Sequence, residues 1–299
     1  MKWTREDRTF TSQGVRCAAW LYRPEGVERP PVVVMAHGFG GVRSFRLPAF
    51  AERFAEAGMA VFLFDYRTFG DSEGTPRNLI DPFMHLEDWR AAVGAVRQME
   101  EVDGGRLGVW GSSFSGGHIL MLAAEDHGIR AVCAQVPYVD PISSIFRIGI
   151  KNLYKAVPYA ITDYIRGLLG MSPLYIPMVG EPGTVAALAT PDVLPGYRRL
   201  VPEGVEWDNR CPARILLTMT FYRPLGRVEK IQAPTLLIAG TEDSLIDPEA
   251  VRRAAKRIPN AELVELPVGH FDPYFGETFE KVVTIEREFL AKHLLEDGE

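Results

Sequence analysis

Leu107-Gly-Val-Trp-Gly-Ser-Ser-Phe-Ser-Gly-Gly-His118 runs from a short apolar segment, through a turn of small residues, into a stretch with helical spacing. A strand that meets a helix over Gly-x-Ser-x-small holds its central serine on a tight turn with the hydroxyl exposed. Gly111 supplies the small residue two positions before Ser113. Ser115 stands where a second glycine would complete the motif, with Gly116 and Gly117 directly behind it. The unpaired N–H groups that open the helix favour negative charge beside such a serine. Ser113 is therefore the candidate nucleophile, because it lies two residues past the strand-ending glycine. Ser112 and Ser115 are its rivals, and a plain helix cap is the competing reading.

Outward from this turn, strand and helix patterns alternate. Pro31–Ala36 and Met59–Phe64 are continuous apolar runs of the kind buried on both faces of a sheet. A helix with apolar spacing, Leu47–Ala57, lies between them and closes at Gly58. Helices are expected at Glu87–Met99 and Ser115–Glu125, with strands at Leu107–Trp110 and Ile129–Val136. Arg8–Thr11 and Val15–Tyr22 read as strands joined by a turn at Ser12-Gln13-Gly14. From Pro137 to about Glu229 the rhythm breaks, with helical pieces near Ser143–Val157 and Thr162–Leu169. It resumes with the strand Ala233–Ala239, a helix from Pro248, the strand Glu262–Leu266 and a helix from about Glu277 to Leu294. Such alternation implies βαβ units and an α/β fold with a mostly parallel, doubly wound sheet. The expected organisation is a core of residues 1–136 and 230–299, with residues 137–229 inserted over it as a mainly helical cap.

Three further segments follow expected strands, on the sheet edge where α/β sites form. His37-Gly-Phe-Gly-Gly41 follows the first buried run. Acyl hydrolysis passes through a tetrahedral oxyanion that needs two preorganised donors. The backbone N–H groups of Phe39 and Phe114 are the candidates for that oxyanion hole. Gly240-Thr-Glu-Asp243 follows a late strand, and Asp243 is the candidate acid, with Glu242, Asp247 and the more distant Asp140 as rivals. Asp247 also suits a cap for the helix at Pro248. Gly269-His270-Phe-Asp-Pro follows the last short strand, and His270 is the candidate base. His118 lies on the elbow helix, while His85, His127 and His293 lie near helix ends and read as surface or capping residues. The chain order serine, acid, histidine is the order expected of one fold that carries this chemistry.

HGFGG, FDYRTFGDSEG, GSSFSGG, GTEDSLIDP and GHFDPY together resemble an α/β-hydrolase. The chain is most similar to serine esterases like dienelactone hydrolases, X-Pro dipeptidyl peptidase-like acyl hydrolases and acetylxylan-type esterases. The resemblance covers roughly residues 1–136 and 230–299. It implies acyl transfer through Ser113, Asp243 and His270 on a carboxylic ester or lactone, with no metal and no other cofactor. Amide, peptide, thioester or C–C cleavage by the same residues is the alternative, and a non-catalytic ligand-binding module a further one. Asp65 to Gly74 matches a structural loop of that family, with Thr68 where glycine is commoner. Phe146, Tyr154, Tyr159, Tyr164, Leu168 and Tyr175 are read as an apolar roof over the substrate.

Bulk properties narrow the partners. The 299 residues are 46% hydrophobic and 24% charged, with a formal net charge of −6, an ordinary globular mix with ample core. No basic stripe marks a nucleic-acid or anionic-membrane face. No apolar run reaches the roughly 18 residues of a membrane span. Cys17, Cys133 and Cys211 are too sparse and scattered for a disulfide framework or zinc site, and suit a reducing compartment. The charged first residues lack a signal peptide's apolar stretch. A cytoplasmic enzyme acting on a small apolar molecule is expected, and a homo-oligomer is compatible with these numbers.

Overall fold

In this computed structural model residues 1–148 and 150–296 are described, the backbone alone for 145–148 and 150–153. Eight strands form one sheet: β1 (Trp3–Ser12), β2 (Val15–Pro24), β3 (Pro31–Ala36), β4 (Ala60–Phe64), β5 (Asp103–Ser112), β6 (Ala131–Gln135), β9 (Thr235–Gly240) and β10 (Ala261–Leu266). Their order across the sheet is β1-β2-β4-β3-β5-β6-β9-β10. The first two junctions are antiparallel and the rest parallel. Gln13 and Gly14, at φ 50° and 79°, form the two-residue turn between β1 and β2, the hand of turn that matches strand twist. Every residue of β3, β4, β6 and β9 is buried, as a sheet covered on both faces requires.

Helices α1 (Leu47–Glu56) and α9 (Gly276–Leu294) pack together on one face, and α2 (Pro82–Arg97) and α3 (Phe114–Ala123) on the other. α8 (Pro248–Arg257) packs on β9 and β10. In α1 the buried residues Leu47, Phe50, Ala51, Phe54 and Ala55 recur every three or four positions, one face of the helix. Burying a phenylalanine such as Phe50 or Phe54 contributes about 2–3 kcal/mol. α2 begins five residues earlier than its apolar spacing indicates. Asp81 accepts from the N–H groups of Phe83 and Met84 (2.9 and 3.1 Å), and Pro82 occupies the first helical position.

Between β6 and β9 the chain forms α4 (Pro141–Ile148), α5 (Ile150–Leu168), a two-stranded ribbon of β7 (Tyr175–Ile176) and β8 (Cys211–Pro212), α6 (Val193–Leu200) and α7 (Ile215–Thr218). The gap expected between Val157 and Thr162 is helical. α5 runs unbroken through Pro158 to Leu168, with Pro158 on an exposed flank and Ala156, Ala160 and Asp163 on the buried face. Asp163 fixes that face, accepting from the backbone N–H groups of Leu174 and Arg214 and from the Arg214 guanidinium (2.7–2.9 Å for its shortest contact to each). Among the described residues no helix is long and apolar enough to cross a membrane.

Candidate functional site

β5 delivers Ser113 to the carboxyl edge of the sheet in a conformation (φ 57°, ψ −121°) that L-residues rarely adopt. Such strain persists only where surrounding structure enforces it. Here β6 does so. Gln135 accepts the Ser113 N–H through its carbonyl (2.9 Å) and donates from its side chain to Ser112 Oγ (2.9 Å). Close backbone approach explains the small residues. A Cβ at Gly111 would lie 2.7 Å from the Ser115 carbonyl oxygen, and one at Gly117 would lie 2.2 Å from that of Tyr138. Ser115 replaces glycine without penalty, because its buried hydroxyl accepts from Tyr66 Oη (3.1 Å), which in turn accepts from Trp89 Nε1 (2.9 Å).

The loops after β9 and β10 bring the other candidates to Ser113. His270 Nε2 lies 3.0 Å from Ser113 Oγ, and His270 Nδ1 lies 2.7 Å from Asp243 Oδ2. Asp243 and His270 are both buried. The second oxygen of Asp243 accepts the N–H groups of Leu245 and Ile246, each at 2.8 Å, so the carboxylate is clamped by its own loop. This chain of contacts fixes Nδ1 of His270 as a donor to Asp243 and leaves Nε2 to accept the serine proton. Asp140 is engaged elsewhere. It accepts from Arg223 Nε (3.1 Å) and Ser143 Oγ (3.2 Å) and lies 3.6 Å from the Arg253 guanidinium. Asp247 caps α8 through the Glu249 N–H (3.2 Å).

Phe39 follows β3 and packs edge-on against Phe114, their ring centres 5.7 Å apart. Tyr197 from α6 donates its hydroxyl to the Phe39 carbonyl and holds this loop against the segment above it. Two small cavities, each about 30 Å³, flank Ser113. One is bordered by Phe39, Phe114, Tyr138, Leu188, Met219 and Ile246. The other is bordered by Gly38, Phe45, Leu47, Tyr197, Leu200 and His270. The roof residues are therefore Leu188, Met219, Tyr197 and Leu200, and the expected roof is corrected. Tyr154, Tyr159, Tyr164 and Leu168 face solvent instead. Tyr175 is half-buried and donates to the Arg77 carbonyl (3.1 Å), and the Phe146 side chain lies outside what is described. Apolar residues on a helix carry no label saying which face meets the core, and α5 buries its small residues. The Ala189-Thr-Pro-Asp192 segment does reach the site: Ser244, next to Asp243, donates to Asp192 (2.6 Å).

A second correction concerns His85, which is fully buried and stacks on Tyr66 with ring centres 4.0 Å apart. His37, His85 and His118 surround Tyr66 behind the Phe39 loop. Burial lowers the pKa of all three, to about 3 for His37 and His118, so the rings are neutral packing groups. His118 Nδ1 pairs with Tyr222 Oη at 2.8 Å. On the opposite face, beneath Ser113, lies polarity that sequence reasoning missed. Tyr274 Oη meets Ser112 Oγ at 2.5 Å, tying the histidine loop to the elbow. Glu286 of α9 is fully buried nearby, and burial raises its carboxyl pKa to about 8, the Trp110 indole and Cys133 thiol opposing this only in part. Among the described residues no three His, Cys, Asp or Glu side chains converge as a metal site would need.

Residues 33–284 match the sequence profile described as the alpha/beta hydrolase family. The quorum-quenching protein AidA of Acinetobacter baumannii is 41% identical over 286 residues, spanning 96% of this chain and 94% of its own. The polyketide transferase af380 of Aspergillus fumigatus is 31% identical over 97% of this chain and 99% of its own. The crystal structure of the alpha/beta hydrolase GrgF from Penicillium superposes with a TM-score of 0.85 at 26% identity, covering 98% of this chain and all of that one.

Proposed function

Because the chain belongs to the alpha/beta hydrolase family, we propose that it cleaves carboxylic esters or lactones through an acyl-enzyme on Ser113. The observation that carries this reading is the continuous contact from Ser113 Oγ to His270 to Asp243 at 3.0 and 2.7 Å. Ser113 Oγ attacks the acyl carbon as its proton passes to His270 Nε2. The resulting imidazolium is stabilised by Asp243, and the backbone N–H groups of Phe39 and Phe114 receive the oxyanion. On collapse, His270 returns the proton to the departing alkoxide, which in a lactone stays tethered to the acyl group. Water then attacks the acyl-enzyme, giving one proton to His270, which passes it to Ser113 Oγ as the acid leaves. The substrate is a small apolar molecule, since apolar and aromatic side chains border both cavities beside Ser113.

A fluorophosphonate probe, together with turnover of a graded panel of esters and lactones, tests this proposal. Labelling of the wild type that vanishes in Ser113→Ala, with turnover falling by about 10⁶-fold, is the expected result. A folded wild type that is neither labelled nor active on any ester or lactone refutes it. Similarity to a polyketide transferase favours a second reading, in which the same acyl-enzyme passes its acyl group to a bound alcohol or amine. Added acceptors that divert product from the free acid to the acylated acceptor distinguish the two.

A further inference from the structure

α5 is apolar on two opposite sides. Its small buried side faces α7, pinned by the Asp163–Arg214 pair. Its other side presents Tyr154, Ile161, Ile165 and Leu168 to solvent, with Tyr164 exposed and Val157 half-buried along the same edge. Tyr154 is 82% exposed and Leu168 72%. At 100° per residue, positions 154, 161, 165 and 168 fall in a single narrow stripe. The spacing of 154, 157, 161, 164 and 168 alternates three and four residues, the pattern that seats one helix against another.

We infer that this face of α5 is the contact surface for α5 of a second copy of the chain, paired about a two-fold axis near Ile161. Three observations favour that occupant. First, the stripe is symmetric about Ile161: Tyr154 and Leu168 lie seven residues to either side, and Val157 and Ile165 lie four. An isologous contact requires that symmetry, because residue i must meet j where j meets i. Antiparallel pairing sets the broad Tyr154 against Leu168 and the narrower Val157 against Ile165. Second, the stripe exposes on the order of several hundred Å² of apolar side chain per copy, enough for the core of an interface to which each partner contributes ~800 Å². Third, the stripe itself carries no charge. Lys155 and Arg166 lie well off it, and the three cations of α5 (Lys151, Lys155 and Arg166) on a chain of net charge −6 make a poor match to an anionic membrane surface. A patch this large on a soluble surface marks an interaction site.

Sedimentation equilibrium of the full chain at tens of micromolar tests the inference. The expected mass is twice 33.3 kDa for the wild type. Ile161→Glu/Leu168→Glu is expected to sediment as one chain with an unchanged circular dichroism spectrum, its self-association weakened at least 100-fold. Tyr154→Lys/Leu168→Lys, which alters the two most exposed positions and so leaves the fold untouched, should give the same result. A wild type that sediments as one chain overturns the inference, and if it then floats with phosphatidylcholine–phosphatidylglycerol vesicles the face is a lipid contact. A charged variant that keeps the doubled mass overturns it equally.

Discussion

Replacing Glu286 by glutamine should flatten the pH dependence of stability. Burial in α9 raises this carboxyl from an ordinary 4.5 to about 8, with Cys133, Trp110 and the Tyr274 phenol as its polar neighbours. A raised native pKa means that the folded state holds a proton which the unfolded state releases near pH 4.5. Glu286 therefore contributes fully to stability below pH 4.5, and the contribution is lost as pH rises toward 8, at about 1.4 kcal/mol per pH unit. Above 8 the loss levels off. Glutamine stays neutral throughout, so the difference in unfolding free energy between variant and wild type should grow by as much as ~4 kcal/mol from pH 5 to pH 8. This double difference cancels any fixed cost of accommodating the amide. Urea unfolding of both proteins at pH 5, 6.5 and 8, followed by tryptophan fluorescence, measures it. Parallel pH dependence of the two midpoints would refute the assignment of Glu286 as a protonated core acid.

Asp243→Asn should lower turnover by about 10⁴-fold, while Asp140→Asn, whose side chain pairs with Arg223 and Arg253, should leave it within a few-fold; steady-state rates on one ester decide. The opposite ranking would make Asp140 the acid. Gly117→Ala forces a Cβ against the Tyr138 carbonyl and should cost at least ~3 kcal/mol, read as a lower thermal midpoint or loss of soluble protein. Leu188→Ala or Met219→Ala should enlarge the cavity between Phe39 and Phe114 and shift the kcat/KM optimum to longer acyl chains, by about tenfold per accommodated methylene. An unchanged chain-length profile would place the acyl group in the cavity beside Tyr197 and Leu200.

The parallel core was legible because it obeys simple periodicity. β3, β4 and the Leu236–Ala239 stretch of β9 are uninterrupted apolar runs, with β3 ending at His37-Gly38 and β9 at Gly240. The meeting of Ser113, Asp243 and His270 was legible for a related reason: each follows a strand, and in a parallel sheet all those ends share one edge. α2 was read short because Phe83 and Met84 break its apolar spacing, although Asp81-Pro82 is a recognisable helix start. His85 was misplaced because proximity to a helix terminus says nothing about which way the side chain turns; stacking on Tyr66 decides that. The roof was misread for want of a partner. Tyr154 and Leu168 look like core residues in a one-dimensional pattern, but α5 spends its buried face on alanines and Asp163. Glu286 gave no signal at all, since a lone glutamate in an amphipathic helix is ordinarily a surface residue.

The pairing of β6 with β9 has a bearing on how the molecule is made. Val132–Gln135 must wait for Thr235–Ile238, about a hundred residues later, before that side of the sheet can close. Loop closure over such a distance makes this pairing slow, so it sets the late stage of folding. During synthesis, the first 136 residues can assemble a sheet whose open edge is the largely apolar β6, a template for association with other nascent chains until β9 arrives. The acid and the histidine arrive on that same late section, after β9 and β10. A growing chain therefore holds Ser113 in place well before Asp243 and His270 can reach it, and the three meet in the same event that seals its most aggregation-prone edge.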